Sequence, residues 1–354
     1  MCSIPLDVTF HPKWWHKNTG ILFNRGFFFD NPHYRVEADM KMRRTLYERF
    51  GDLGLGEENP DPRPIIGSDL LAIGYLHSEI LGCEIRYSDD NSPEVICKHM
   101  TNEEVEALEV PDLDKSEAWG VIQKQIEELQ NKYGDVVPYV NLMGVQNIAL
   151  DVRGSEVFID YFTEPELANK LLRVCTELSI EVGRRLKKLS KEISGGVTGI
   201  VRQTVPDVYL TSNCTVEMIS LDNYKEFLLK YDNIIAKEFA PFGIHHCGAT
   251  MEHVVDGYML VDNLAFAEVG AYSDLAYVRQ KLPNIHLNTR YSPVKLKDVS
   301  YEEMKKDIGK ILIDGKPVKY LSISCVGIDD NVSDHQVRNF IRCCQELSEN
   351  IDLK

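Results

Sequence analysis

The chain has 354 residues, of which 44% are apolar and 27% are charged, and its formal charge at pH 7 is −16 with the histidines counted as neutral. This is the composition of a folded globular protein, and an acidic chain without a block of Lys or Arg argues against a nucleic-acid or anionic-membrane partner. The length allows one large domain or two small ones.

The first residues, Met1 to Trp15, lack the basic start and apolar core of a secretory signal, and the longest apolar stretches are broken by Asn and Gln. We therefore expect a cytoplasmic protein without a membrane segment. The 9 cysteines are spread from Cys2 to Cys344. An odd number of this kind indicates reduced thiols or metal ligands rather than a disulfide framework.

Residues 1–64 have the least regular pattern, and we predict that they form a cap packed on a catalytic domain of residues 65–354. Aromatic side chains crowd this segment, namely Trp14, Trp15, Phe23, Phe27, Phe28 and Phe29. Such a density of rings must be buried. Two interpretations stay open: a hydrophobic plug over one end of the fold, or a wall of an apolar substrate pocket.

From Ile65 onward, short apolar runs alternate with amphipathic helical patterns. The predicted strands are 138–142, 199–202, 243–246, 264–269, 285–288 and 320–325. Pairs with capping-box spacing mark helix starts at Thr101 with Glu104, Thr163 with Glu166, Ser300 with Glu303, and Ser333 with Gln336. The second pair is predicted to open a long helix over 165–189.

Alternating strands and helices predict an α/β fold whose parallel sheet is buried on both sides, either doubly wound or closed. The sequence contains neither the glycine pattern of dinucleotide-binding folds nor a P-loop. We therefore predict a (β/α)8 TIM barrel with an irregular, aromatic-rich N-terminal segment.

Two predicted strands end in residue types that bind metals. Side chains two apart on a strand share a face, so His245 and Cys247 can point at one spot while His246 points away. A second apolar strand, over 320–325, ends in Cys325. One imidazole and two thiolates are suitable zinc ligands, and three protein ligands leave a fourth position open, as in catalytic sites.

A zinc ion with two thiolates and one neutral imidazole carries no net charge. Such a site can polarise an ether oxygen, or bind a thiol and hold it as the thiolate. The alternative is that these residues only pack, because a buried cysteine at a strand end often behaves as a small hydrophobe. Spacing alone does not decide between the two.

At these residues the sequence resembles the uroporphyrinogen decarboxylase superfamily, and within it the zinc-dependent corrinoid methyltransferases. Those proteins carry an H-x-C pair at one strand end and a lone cysteine further on, which His245, Cys247 and Cys325 match. The likeness runs from about residue 65 to 345 through segments 67–71, 81–84, 143–144, 162–167 and 286–293. It implies a (β/α)8 barrel, zinc held by His245, Cys247 and Cys325, and a corrinoid (cobalamin) carried by a partner protein.

Departures from the family pattern narrow this expectation. The arginine motif with which the decarboxylases grip substrate carboxylates is missing near the N-terminus, so we reject porphyrinogen decarboxylation. The D-R-V-P segment of the coenzyme M methyltransferases is also missing. The aromatic start resembles the methyltransferase component of anaerobic O-demethylases, which transfers the methyl group of a phenyl methyl ether to the cobalt of a corrinoid protein.

The resemblance therefore implies a zinc-dependent methyltransferase in which the metal acts as a Lewis acid on the ether oxygen, with the corrinoid protein docking at the top face of the barrel. One alternative is the reverse chemistry, in which a zinc-bound thiol takes a methyl group from methylcorrinoid. Another is a zinc-free barrel that binds a tetrapyrrole or a partner without catalysis.

Four further polar residues are candidate contacts to the substrate, namely Asp69, Asn213, Glu268 and Arg290. For each, a structural role as a cap or salt bridge near a loop is an equal alternative. His77 and Glu79 are left out of the metal site because residues 75–81 have a helical pattern.

Overall fold

The computed structural model of the protein describes residues 4–67, 74–189, 193 and 199–349. Its strands are β1 (Leu6–Phe10), β2 (Ile65–Gly67), β3 (Glu84–Arg86), β4 (Glu94–Ile96), β5 (Val137–Tyr139), β6 (Leu142–Met143), β7 (Tyr209–Ser212), β8 (Phe242–His245), β9 (Leu264–Val269), β10 (His286–Tyr291) and β11 (Leu321–Ile328).

The helices of the first half are α1 (Pro12–Thr19), α2 (Pro32–Phe50), α3 (Leu76–Ile80), α4 (Asn102–Ala107), α5 (Glu117–Tyr133), α6 (Val145–Arg153), α7 (Glu156–Thr163) and α8 (Pro165–Leu189). Those of the second half are α9 (Ile200–Thr204), α10 (Leu221–Asn223), α11 (Leu229–Glu238), α12 (Val255–Tyr258), α13 (Leu275–Lys281), α14 (Pro293–Leu296), α15 (Tyr301–Asp314) and α16 (Asp334–Glu349). In the described part of the chain, no helix has the length and apolar character needed to cross a bilayer.

The main sheet has 7 strands in the order β1-β11-β10-β9-β8-β7-β6, and every neighbouring pair is parallel. A separate parallel pair joins β2 to β5, which precedes β6 directly in the chain. Treating β5 and β6 as one interrupted strand therefore places β2 beyond the β6 edge of the main sheet. The strands alternate with helices in the way of a (β/α)8 barrel, which confirms the predicted fold class.

The first strand lies within the segment expected to be a cap. Leu6 pairs with Ile323 and Val8 with Cys325, so β1 belongs to the sheet. Trp14, Trp15 and Phe23 then pack into the core with at most 1% of their surface exposed. Most of the N-terminal aromatic side chains therefore behave as the plug interpretation expects.

The strands over 243–246, 264–269, 285–288 and 320–325 are confirmed by β8 to β11. Residues 199–202 were expected to form a strand, but Ile200–Thr204 is a helix whose Ile200 and Val201 fill the barrel interior with Leu210 and Phe266. The strand at this position is β7, which sequence periodicity missed.

Two predicted capping boxes are confirmed, at Thr101 with Glu104 and at Ser300 with Glu303. Helix α8 begins at Pro165 and ends at Leu189 as predicted, yet Thr163 does not cap it. The hydroxyl of Thr163 donates instead to the carbonyl of Ile159, because this residue completes the preceding helix.

Candidate metal centre

Strand β8 ends with side chains that point in opposite directions. His246 faces the helix layer, where its ring contacts the Tyr258 hydroxyl at 2.9 Å and the Thr250 carbonyl oxygen at 2.9 Å. His245 and Cys247 face the cavity at the carboxyl ends of the strands. This confirms the strand geometry expected for these residues.

Cys214 joins this pair from the loop after β7. The ligand atoms of Cys214, His245 and Cys247 all lie within 4.8 Å of one another, and this is the one such His, Cys or carboxylate group among the described residues. His245 is 3% exposed, whereas Cys247 opens onto the cavity. Cys214 was not among the predicted ligands, because the strand before it was not predicted.

Hydrogen bonds between loops fix the position of Cys214 relative to β8. The Asn147 side-chain oxygen accepts from the Thr215 amide at 3.0 Å and from the Thr215 hydroxyl at 2.7 Å. Glu217 accepts from the Ala249 amide at 2.7 Å, which ties the loop after β7 to the loop after β8. The two cysteine-bearing loops are therefore held together by the protein itself.

The loop after β9 supports this arrangement through a close backbone approach. A Cβ atom on Gly270 would lie 2.2 Å from the carbonyl oxygen of Gly248, so only glycine fits at position 270. Gly248 directly follows Cys247, and this contact limits the movement of the strand end that carries the thiol.

Glu268 on β9 stands behind His245. Its carboxylate contacts His245 Nδ1 and also accepts a bond of 3.4 Å from the Asn288 amide. The Asn288 amide also reaches the Ser324 hydroxyl at 3.0 Å, so a chain of polar contacts crosses the barrel interior. A carboxylate on Nδ1 leaves Nε2 of His245 as the ring atom available to a metal.

The charges of the cluster act on one another. Burial lowers the pKa of His245, but the Glu268 charge and hydrogen bonds to Cys247 and Glu268 outweigh it and raise that pKa to about 9. A hydrogen bond from Cys214 and the neighbouring His245 hold the pKa of Cys247 well below its usual range. The pKa of Cys214 is raised by the same thiol–thiol bond and by burial.

Cys325 does not belong to this cluster, which corrects the predicted ligand set. It is fully buried on the opposite face of β11 from Val326, which lines the cavity. Its thiol lies within electrostatic range of Cys344 on α16, in the layer between sheet and helix. Burial there raises its pKa to about 12, as expected for an inert packing thiol.

The predicted substrate contacts also differ in whether they face the cavity. Asn213 turns into the helix layer, where its amide donates to Asp232 at 3.0 Å, so it is not a cavity residue. Glu268 holds His245 rather than facing the cavity directly, and Arg290 lines the cavity. Asp69 lies outside the described residues.

The cavity has a volume of about 280 Å³, and polar side chains share its mainly apolar wall with Met143 and Val326. Phe29 from the N-terminal segment lies instead beside a separate apolar cavity with Tyr75 and Tyr139. None of the aromatic residues of segment 1–64 that the structure describes lines the cavity at Cys247. The expected aromatic wall is therefore not part of this site.

The donor set fits a zinc ion. Two sulfur atoms and one imidazole nitrogen match the ligand softness that zinc prefers, and three ligands at a cavity leave room for a fourth partner. A carboxylate behind the histidine is the usual outer partner of a zinc-bound imidazole. Fold and site together define a (β/α)8 barrel with a candidate zinc centre at its C-terminal face.

Comparison with known proteins assigns the family. Residues 65–347 match the model of the family described as Uroporphyrinogen decarboxylase (URO-D). Because this match covers most of the chain, the protein belongs to the URO-D family. Among curated protein sequences, no significant match is found.

The fold is shared with a solved structure. A methyltransferase from Methanosarcina mazei aligns with a TM-score of 0.67 and 16% identity, over 98% of this chain and 94% of that chain. A B12-independent methionine synthase from Shewanella sp. W3-18-1 aligns with a TM-score of 0.48 and 10% identity, over 98% of this chain and 97% of that chain. The first likeness supports the fold, and the second is too distant to add to it.

Proposed function

We propose that the protein is a zinc-dependent methyltransferase that acts on a methyl ether. It moves the methyl group of a phenyl methyl ether to the cob(I)alamin of a corrinoid protein. The observation that carries the proposal is the convergence of Cys214, His245 and Cys247 at the cavity, with Glu268 behind the histidine. Membership of the URO-D family and the fold shared with a methyltransferase support it.

The reaction breaks the bond between the methyl carbon and the ether oxygen. The bonding electron pair leaves with the oxygen as a phenolate, and the methyl carbon accepts the electron pair of cob(I)alamin. Bound zinc would supply Lewis acidity that stabilises the negative charge developing on the leaving oxygen.

The residues of the chain hold and tune this centre. Cys214 and Cys247 supply two negative charges as thiolates, and His245 supplies a neutral imidazole, so the three ligands balance a divalent ion. Glu268 accepts from Nδ1 and thereby fixes both the tautomer and the ring orientation of His245. A neutral centre is more electrophilic than a three-thiolate centre would be.

The rim of the cavity suits a protein partner. Large apolar side chains are exposed in the loops and short helical turns that follow β7, β9 and β10, namely Met218 (64% exposed), Tyr272 (62%) and Val294 (79%). Because these loops surround the C-terminal face of the barrel, the rim places apolar contact surface next to the cavity. We propose that the corrinoid protein docks here.

The test combines zinc-loaded protein with free cob(I)alamin and guaiacol. We expect the cob(I)alamin spectrum to disappear as catechol forms, and we expect Cys247→Ser to lose both the metal and the reaction. Cys325→Ala is the matched control and should keep both. A zinc-loaded protein that leaves guaiacol and related methoxyarenes unchanged would overturn the proposal.

The second candidate is methylation of a thiol by methylcorrinoid, favoured by the small volume of the cavity. A product assay with a small thiol and methylcobalamin separates the two directions. A folded protein that binds no zinc would instead favour the non-catalytic barrel that binds a tetrapyrrole or partner.

A further inference from the structure

Arg290 is the cationic residue of the cavity. It lies on β10, on the inward face that it shares with Asn288, and it lines the same space as His245 and Cys247. Among the residues that the structure describes, none forms an ion pair or hydrogen bond with its guanidinium group. Arg279 on α13 differs, because its guanidinium group donates to four backbone carbonyls.

Two amide side chains face the same space. The oxygen of Asn141 accepts a 2.6 Å bond from the Ser212 hydroxyl, and the oxygen of Asn147 is occupied by Thr215. The NH₂ group of Asn147 is hydrogen-bonded to the Cys214 thiol, so the NH₂ group of Asn141 is the one left to donate toward the cavity. No Asp or Glu is among the described residues that line it.

With one guanidinium, the amide donor of Asn141 and no carboxylate among its described lining residues, this cavity is complementary to an anion. Arginine binds a carboxylate through two parallel hydrogen bonds, which fixes the orientation of the bound molecule as well as its charge. The volume of about 280 Å³ lies at the small end of ligand pockets and suits one ring rather than several.

We propose that the methyl donor is a single-ring methoxyarene that carries a carboxylate group. The carboxylate binds Arg290 while the methoxy group faces Cys214, His245 and Cys247. This rests on the proposed function and adds the substrate class. It makes Arg290 the residue that determines specificity, with Asn141 as a polar contact.

The competing explanation is that Arg290 acts only on the cysteines, by favouring their thiolates. That role would appear in the zinc content and would affect neutral and anionic ligands alike. Ligand binding measured with and without a negative charge on the ligand therefore separates the two roles.

The experiment measures binding of 3-methoxybenzoate and its neutral counterpart 3-methoxybenzamide to zinc-loaded protein by calorimetry. We expect the wild-type protein to bind the benzoate about 10- to 100-fold more tightly than the benzamide, as charge-assisted hydrogen bonds predict. Arg290→Gln should remove this preference by weakening the benzoate alone, and Arg290→Lys should restore part of it. Arg86→Gln, in an exposed ion pair with Glu94 on the β3–β4 hairpin, is the control and should behave as wild type.

Equal binding of the two ligands, or no binding of either, by the wild-type protein overturns the inference. So does a loss of zinc from Arg290→Gln, since that result assigns the arginine to the metal centre. If guaiacol is demethylated without any preference for the benzoate, the inference fails and the proposed function stands. If the benzoate is preferred but no methoxyarene is demethylated, the assignment of Arg290 stands and the proposed function fails.

Discussion

Cys247 lies just past the end of β8 and Cys325 lies within β11, and the two strands place these cysteines on opposite sides of the barrel wall. Cys247 continues the inward face of β8 with His245 and opens onto the cavity. Cys325 lies on the outward face of β11 and is buried against the helix layer. A metal ligand is therefore defined by the face of the strand as much as by its position near the strand end.

The signal for this difference is present in the sequence of β11. Ser322 and Ser324 alternate with apolar Leu321 and Ile323, and the two serines contact Asn288 in the barrel interior. Cys325 lies on the same face of β11 as Leu321 and Ile323, and this face packs against the helices. Matching the cysteine to a family motif outweighed this alternation in our prediction.

The largest test of this comparison is the zinc content of cysteine variants. Cys214→Ser and Cys247→Ser each remove a ligand, so the zinc affinity should fall by more than the roughly 10- to 100-fold that outer-shell changes cause. Cys325→Ala should bind zinc as wild type does. Metal analysis of purified proteins after dialysis against a weak chelator measures this.

The opposite pattern would contradict the structure. If Cys325→Ala lost zinc while Cys214→Ser retained it, the ligand set implied by the family resemblance would be right and the convergence on Cys214 would be wrong.

The second test compares thiol reactivity in the metal-free protein. The pKa of Cys247 is held low, so this residue stays a thiolate as the pH falls from 7 to 6, whereas burial raises the pKa of Cys325 to about 12. We expect iodoacetamide to modify Cys247 at least about a thousandfold faster than Cys325 in the folded chain, since the thiolate is the reactive form. Peptide mass spectrometry after timed quenching measures both rates.

Added zinc should protect Cys247 and leave the slow rate at Cys325 unchanged. Comparable rates at the two positions in folded protein would mean that β11 does not bury its cysteine as described.

Some strands of the barrel could be predicted from the sequence and others could not. Strands β9 and β11 were predictable because each has at least six residues, is mostly apolar and has a glycine at or beside its end, whereas β10 carries Asn288, Thr289 and Arg290 and was predicted only as far as residue 288. Strand β7 was missed because Tyr209 to Ser212 mixes apolar and hydroxyl side chains, and Cys214 was missed with it. The pairing of β1 with β11 joins residues from the two ends of the chain, which no local pattern encodes.

The third test weakens the centre without removing a ligand. Glu268→Gln replaces the carboxylate behind His245 by an amide that accepts the Nδ1 hydrogen bond more weakly and fixes the tautomer and ring orientation less firmly, so zinc affinity should fall about 10- to 100-fold. Asp307→Asn is the control, because this carboxylate lies on the helix side of β10, paired with Lys295 and Tyr291. Competition with a chromophoric chelator gives both affinities.

An unchanged affinity in Glu268→Gln would show that this carboxylate serves the fold rather than the metal centre. Because Glu268 is fully buried, the unfolding free energy of the Glu268→Gln variant should be measured together with its zinc affinity. A loss of zinc affinity in a variant of unchanged stability is then attributed to the metal site.

The smallest expected effect concerns stability. At Cys325 the cavity left by alanine should lower the unfolding free energy by about 1 kcal/mol, and serine should cost about 1–3 kcal/mol more, because its hydroxyl enters an apolar layer. At Cys247 the alanine and serine variants of the metal-free protein should differ by less than about 0.5 kcal/mol, since this side chain meets the open cavity. Urea unfolding of the four variants measures both differences. A larger gap between serine and alanine at Cys247 than at Cys325 would reverse the assignment of the two strand faces, because the penalty for a hydroxyl group reports directly which cysteine is removed from water.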